Sequence, residues 1–233
     1  MTSIPRLTLS TLTGLVWLTA AAAAQDRVLT LSDVSPALNS LIGNTDLDFV
    51  AKANIEYGVT GKADYDRFYR ESAIAYGGFV VGQGLTNDAT TNLKGYARNK
   101  AAIAELEAEI AEITEGADPD DWTTEQSIAV LQAAEAKDQL SADEREYMAA
   151  TALRIAATLP VLKAAIESSA ELSGIAPGLV SGARSAFGLR GATGAARNVQ
   201  RSADRIADIP SSATKLVEEL TVLSHGLSMV SGG

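Results

Sequence analysis

SADEREYMAATALRIAATLPVLKAAI, Ser141 to Ile166, decides how the rest of the chain is read. Ser141 is followed three residues later by Glu144, the spacing of a capping box, in which a hydroxyl and a carboxylate satisfy free amides at a helix start. Behind it Met148, Ala152, Ile155, Leu159, Leu162 and Ile166 recur in alternating steps of four and three. A stripe with that period lies on one helix face and has to be buried against another helix. Pro160 falls inside the pattern. It loses one backbone hydrogen bond and is expected to kink the helix rather than end it.

The same signals extend outward in both directions. Upstream, Tyr96, Asn99, Ile103, Leu106, Ile110 and Ile113 form a second heptad seam with one polar member, on a helix expected from about Asp88 to Thr114. Its outer face carries Glu105, Glu107, Glu109 and Glu112. After Gly116 and the acidic loop ADPDDW, Thr123 and Gln126 form another capping box, opening a helix to about Gln139. Nearer the N-terminus, Tyr65, Phe68, Tyr69, Tyr76, Phe79 and Val80 predict a helix from Asp64. Thr45 or Asp46 opens an earlier one, with Leu47, Val50, Ala51 and Ile55 on one face and Gly58 and Gly61 at its end. Ser35-Pro36 reads as a cap with proline at the first helical position. RVLTL, Arg27 to Leu31, is the one strand-like piece, expected as an extended arm rather than part of a sheet.

Downstream, six glycines fall between Gly174 and Gly194. A helix is expected from Ala195 to Ile209, stopped by Pro210. Ser211 or Ser212 then caps a last helix striped by Leu216, Leu220, Leu223, Leu227 and Val230. The fold class that follows is all-α: an antiparallel helical bundle with a long central heptad-patterned hairpin. Its domain spans 45–233, with a glycine-rich joint at 173–194, and residues 25–44 form an N-terminal arm and short helix.

The first 24 residues stand apart. Arg6 precedes an apolar centre at Leu15, Val16, Trp17 and Leu18, and the run Ala20 to Ala24 ends it. That is the layout of a secretory signal peptide, with Ala22 and Ala24 meeting the small-x-small rule for cleavage before Gln25. The mature chain is therefore expected outside the cytoplasm, periplasmic or extracellular. No later stretch reads as a membrane span, so it is expected to be soluble. The chain has no cysteine, which excludes disulfides, thiolate metal sites, catalytic thiols and a lipidated cysteine, and fits a bacterial exported protein better than a small eukaryotic one. With 29 acidic against 19 basic residues it carries a net charge of −10 and as a whole repels nucleic acid.

Few residues invite chemistry. His225 is the one histidine and sits on the last helix, near the C-terminus. DPDD, Asp118 to Asp121, has Trp122 where a calcium loop needs its third ligand, and no central glycine. GQG at Gly82 to Gly84 follows a helical pattern, and GLRGATG at Gly188 to Gly194 has no P-loop lysine, so neither is a nucleotide loop. No catalytic residue, cofactor or metal site is assigned, and a carboxylate-based hydrolase is the remaining enzymatic alternative.

Two features point to binding. Arg197, Arg201 and Arg205 are spaced four apart along one helix face, with Arg184 and Arg190 upstream, and Asp204 is the one acid between Arg184 and Arg205. Against them, residues 101–150 hold fourteen acids and two bases. These regions are expected to face each other within the fold or across subunits. Alternatively, the arginines meet an anionic lipid or other polyanion. The second feature is glycine at a spacing of four: Gly78 and Gly82 around Phe79, and Gly174, Gly178 and Gly182 before Phe187. Such faces let two backbones approach closely, and the expectation is that the two segments pack on each other or form apolar elements that meet an amphiphile. The function these features imply is a non-enzymatic interaction or scaffold protein of the bacterial envelope, with a protein partner or self-association. The alternative is an amphiphile-binding or membrane-associating helical protein.

Overall fold

The computed structural model describes residues 59–230, together with the backbone of two short strands, β1 (Arg27–Leu29) and β2 (Ile55–Tyr57). The expected signal peptide, the Ser35-Pro36 turn and most of the helix expected from Thr45 lie outside the described residues. Five helices carry the fold: α1 (Ala63–Lys100), α2 (Glu107–Thr114), α3 (Thr124–Ala136), α4 (Ala142–Ile206) and α5 (Ile209–Val230). The described residues are all-α apart from the three-residue ladder. There Arg27 lies opposite Tyr57 and Leu29 opposite Ile55 in an antiparallel pair beside α1. This corrects two expectations, an unpaired arm at 27–29 and a helical Ile55. Pairing across so many intervening residues leaves no trace in local periodicity, whereas Ile and Tyr suit strands.

Both capping boxes form. Thr123 accepts from the Gln126 amide while the Gln126 side chain accepts from the Thr123 amide, and Ser141 and Glu144 do the same. The α4 seam is buried as its period requires. Met148, Ile155 and Leu162 are fully enclosed, and Ala152, Leu159 and Ile166 pack at the margin. On α5, Leu220, Leu223, Leu227 and Val230 are enclosed in the same way.

α1 and α4 run antiparallel. At one end Lys100 donates to Glu144 Oε2 at 2.8 Å, and at the other the Tyr65 hydroxyl donates to the Leu179 carbonyl. At 1.5 Å per residue, the chain from Glu144 to Leu179 spans on the order of 50 Å. α5 packs on α4, α3 and α1, and α2 packs on α3. One continuous apolar core joins them, from Phe68 through Leu85, Leu93 and Trp122 to Leu220.

The helix boundaries differ from expectation in four places. First, α1 continues through Gly82 and Gly84 to Lys100, so the expected third helix and the start of the fourth are one. The helical glycines are tolerated because α4 fills the space beside them. A Cβ on Gly78 would lie 3.0 Å from Val161 Cγ1, and one on Gly82 would lie 2.6 Å from Leu162 Cδ2. Second, the seam through Asn99 breaks after Lys100. Tight turns carry the chain through 101–106, Asn99 is exposed, and Leu106 is turned inward. The buried Lys100 pair holds the helix end, and the indole of Trp122, enclosed under the acidic loop, donates to the Ala117 carbonyl. Third, the glycine-rich joint is not a joint over most of its length. α4 stays helical through Gly174, Pro177, Gly178 and Gly182 and breaks at Gly188, where φ is +66° and ψ is −177°. That backbone region is essentially open only to glycine. Pro210 likewise does not stop a helix; it is the second residue of α5, where its missing N–H costs nothing.

Candidate interaction surface

Gly188 divides α4 into a long first arm and a reversed second arm, and aromatic contacts fix the reversal. Phe187 meets Tyr65 edge-on, with ring centroids 4.8 Å apart. Tyr69, enclosed beside it, donates its hydroxyl to the Ala195 carbonyl of the second arm at 3.2 Å. Burial pushes the Tyr69 phenol up to about 12, with Tyr65 and Asp66 adding to the effect, so the hydroxyl stays protonated and able to donate. α1 thus holds both arms through two tyrosines one turn apart.

The second arm has two unlike faces. Ala195, Val199 and Ile206 are buried, on a helical repeat that turns them to the core. Arg190, Arg197, Arg201 and Arg205 fall on the opposite side and are exposed, as is Arg184 on the last turns of the first arm. Among the described residues none of these five arginines has a carboxylate within ion-pair distance, while Arg67, Arg98, Lys100, Lys137 and Arg145 all do. Leu189 stands beside Arg190 at the reversal, 73% exposed, and Ile175 is 42% exposed on the arm before it. From Leu172 to Ala203 the sequence holds four arginines and no acid.

The acidic region 101–150 sits at the other end of α4. The bases that serve it are its own or its neighbours. Lys137 pairs with Glu109, Arg145 with Glu135 and Asp138, Arg98 with Asp120, and Lys100 with Glu144. The expected pairing of this region with the arginine stripe is therefore not made within the described part of the chain. Arg184 and Arg190 lie at the far end of the first arm from the Lys100–Glu144 pair, and surface charges further apart than about 10 Å are screened at moderate salt.

The glycine faces are placed differently from expectation. Gly78 and Gly82 do close-pack, with Phe79 at the core margin, but their partners are Val161, Leu162 and Ala165 rather than the 174–182 segment. Gly182 lies near the Tyr65 hydroxyl, 3.7 Å from where its Cβ would be. Gly174 and Gly178 are exposed with nothing near, and so take no part in close packing. The small-residue spacing was the right signal on α1 and an empty one on α4, because which glycine faces a neighbour depends on helix rotation about its axis.

Among the described residues no group of three His, Asp or Glu is arranged to hold a metal. His225 is exposed. Asp118 Oδ1 accepts from the Asp120 amide, a local turn contact. An open cleft of about 590 Å³ between α1, the α3 N-terminus and α5 is lined by Thr86, Thr90, Thr91, Glu125, Glu218 and Glu219. Sequence reasoning did not find it, since its wall comes from three distant segments. One stretch within Ala142–Val230 is long and apolar enough to cross a membrane, with mean hydropathy 1.4 over its window and 28% of that window buried. This differs from the expectation that nothing after the leader reaches that hydropathy; small aliphatic side chains raise the mean without forming a visibly apolar block.

No family model matches the chain, and no curated protein or solved structure matches it either.

Proposed function

We propose that this chain is a non-enzymatic interaction protein of the bacterial envelope, exported under its N-terminal leader, and that it docks through the reversed second arm of α4. The observation that carries the reading is the clustering of five exposed arginines, none with an acidic partner among the described residues, on the end of the first arm and along the second arm of α4. Arginine presents a planar fork that binds carboxylate or phosphate by two hydrogen bonds. A row of them on a helix anchored to α1 through Tyr69 is a preformed anion-binding face.

Retention on a sulfonate resin at neutral pH tests the face. A protein of pI about 4.6 should pass such a resin unless a concentrated basic surface overrides its net charge. The expected result is retention at low salt, lost when Arg197, Arg201 and Arg205 are changed to Gln. Passage of the unaltered protein through the resin would overturn the reading.

Leu189 and Ile175 favour a second reading, association with an anionic bilayer. Exposed apolar side chains beside arginines suit the headgroup boundary, where each basic residue contributes about 1 kcal/mol. Under it, the protein floats with anionic vesicles at low salt and not with neutral ones, and the Leu189→Ser variant floats less.

A further inference from the structure

We infer that the anionic partner of the arginine arm is the acidic end of a second copy of this chain. The inference rests on the docking face proposed above and names its occupant. The molecule is electrically two-ended. Around the Gly188 reversal lie Arg184, Arg190, Arg197, Arg201 and Arg205, all exposed. Around α2 and the loop after it lie Glu107, Glu112, Glu115, Asp118, Asp121 and Glu125, also exposed. None of these six has an ion pair among the described residues, because the local bases are engaged by Glu109, Asp120, Glu135, Asp138 and Glu144. By sequence the stretch 184–205 holds five arginines against Asp204, a surplus of four positive charges, and residues 101–125 hold nine acids and no base. The first arm of α4, on the order of 50 Å between its anchored ends, keeps Arg184 and Arg190 from the acidic end of their own copy, and the arginines of the returning second arm make no ion pair with it among the described residues. Two copies have no such restriction. Laid antiparallel they satisfy both ends at once, in a closed two-fold pair; laid head to tail they form open chains. In either arrangement opposed charges set the orientation and hasten encounter more than they add affinity, so the association is reversible and sensitive to salt.

The charges can be exchanged without touching the core. One variant carries Arg197→Glu, Arg201→Glu and Arg205→Glu; the other carries Glu107→Lys, Glu112→Lys and Asp121→Lys. All six positions are exposed, and both variants keep a net negative charge, so overall attraction between them is absent. Sedimentation velocity of the full mature chain reads the outcome. The unaltered protein is expected to self-associate at low salt and to separate as salt rises. Each variant alone should associate roughly tenfold or more weakly, as expected for several exposed pairs of up to about 1 kcal/mol each. Mixing the two variants should restore a complex of one copy of each, since the acidic arm of one then meets the basic end of the other. A mixture that stays monomeric would sink the inference, as would an unaltered protein that is monomeric at low salt. If that protein is still held by the sulfonate resin, the docking face stands and its partner is another anion; flotation with anionic vesicles would identify a bilayer. If it is not held, both readings fail together.

Discussion

A glycine reports on its surroundings through the Cβ it lacks, and the described glycines of this chain fall into three energetic classes. Gly188 sits where φ is +66° and ψ is −177°, with open space around it. Its cost on substitution is therefore backbone strain alone, and Gly188→Ala should destabilise by about 1–3 kcal/mol. Gly82 is ordinary helix, but its added Cβ would lie 2.6 Å from Leu162 Cδ2, so Gly82→Ala should cost about 1–3 kcal/mol through overpacking. Gly174 and Gly178 are helical, exposed and unobstructed. Changing either to Ala should stabilise by roughly 0.5–1 kcal/mol, since alanine loses less backbone freedom on folding. Urea midpoints of the four variants check this, and a shift of the same sign at Gly174 and Gly82 would contradict it. Tyr69 gives a test by titration. Its folded pKa of about 12 lies above the ordinary phenol value of 10.0. Its stabilising contribution is therefore whole below about pH 10 and fades as pH rises towards 12. The near-ultraviolet phenolate signal should show a late step that disappears in Tyr69→Phe. That variant should also lose about 1 kcal/mol with the hydrogen bond to Ala195.

At the scale of elements, the join between α1 and α4 rests on one pair. Lys100 and Glu144 are largely buried, and Glu144 also closes the capping box of α4 by accepting from the Ser141 amide. Burial by itself would raise the Glu144 carboxyl. The hydrogen bonds from Lys100 and from Ser141 outweigh it and hold the group below the usual carboxylate range. A carboxylate with a lowered folded pKa contributes stability above its unfolded value and loses it as pH falls through the folded one. Between about pH 5 and pH 3, bracketing the ordinary value near 4.3, the unaltered protein should lose melting temperature more steeply than Glu144→Gln, which keeps the cap and abolishes the titration. Equal slopes would show that the pair does not govern acid stability. Lys100→Ala leaves the largely buried carboxylate without its cation and should cost roughly 3 kcal/mol.

The whole molecule combines one shared core with an extension that the core serves thinly. The middle of α1 and of α4 is enclosed through Leu85, Leu93, Ile155 and Leu162, whereas from Gly174 to Gly188 the first arm buries only Ala176 and Ala183. Regions with little buried apolar surface open at lower free energy. Amide exchange should therefore be slowest around Leu85–Leu93 and Ile155–Leu162 and markedly faster from Gly174 to Gly188. Uniform protection along α4 would refute this. The same extension carries the arginines out from the core, and the charges at the two ends belong to the molecule rather than to any one helix.

What the sequence determined by itself is local. Capping boxes at Thr123 and Ser141, the seams of Met148 to Ile166 and Leu216 to Val230, and the exposed spacing of Arg197, Arg201 and Arg205 are all properties of one helix. The physics that sets them acts within a turn or two. The sequence also bounded the chemistry, since a chain without cysteine and with one histidine has few ligands and nucleophiles to offer. Tertiary structure decided everything that depends on a second segment. It settled that Gly82 meets Leu162 while Gly174 meets nothing, that α1 runs unbroken to Lys100, and that the chain reverses at Gly188 rather than at any of its neighbours. It also turned the arginine arm back at the far end of α4 and left it without an ion pair to the acidic end among the described residues. A period of 3.6 residues says that a helix has an apolar face, but not which neighbour covers it; that choice is made by the summed fit of the whole core.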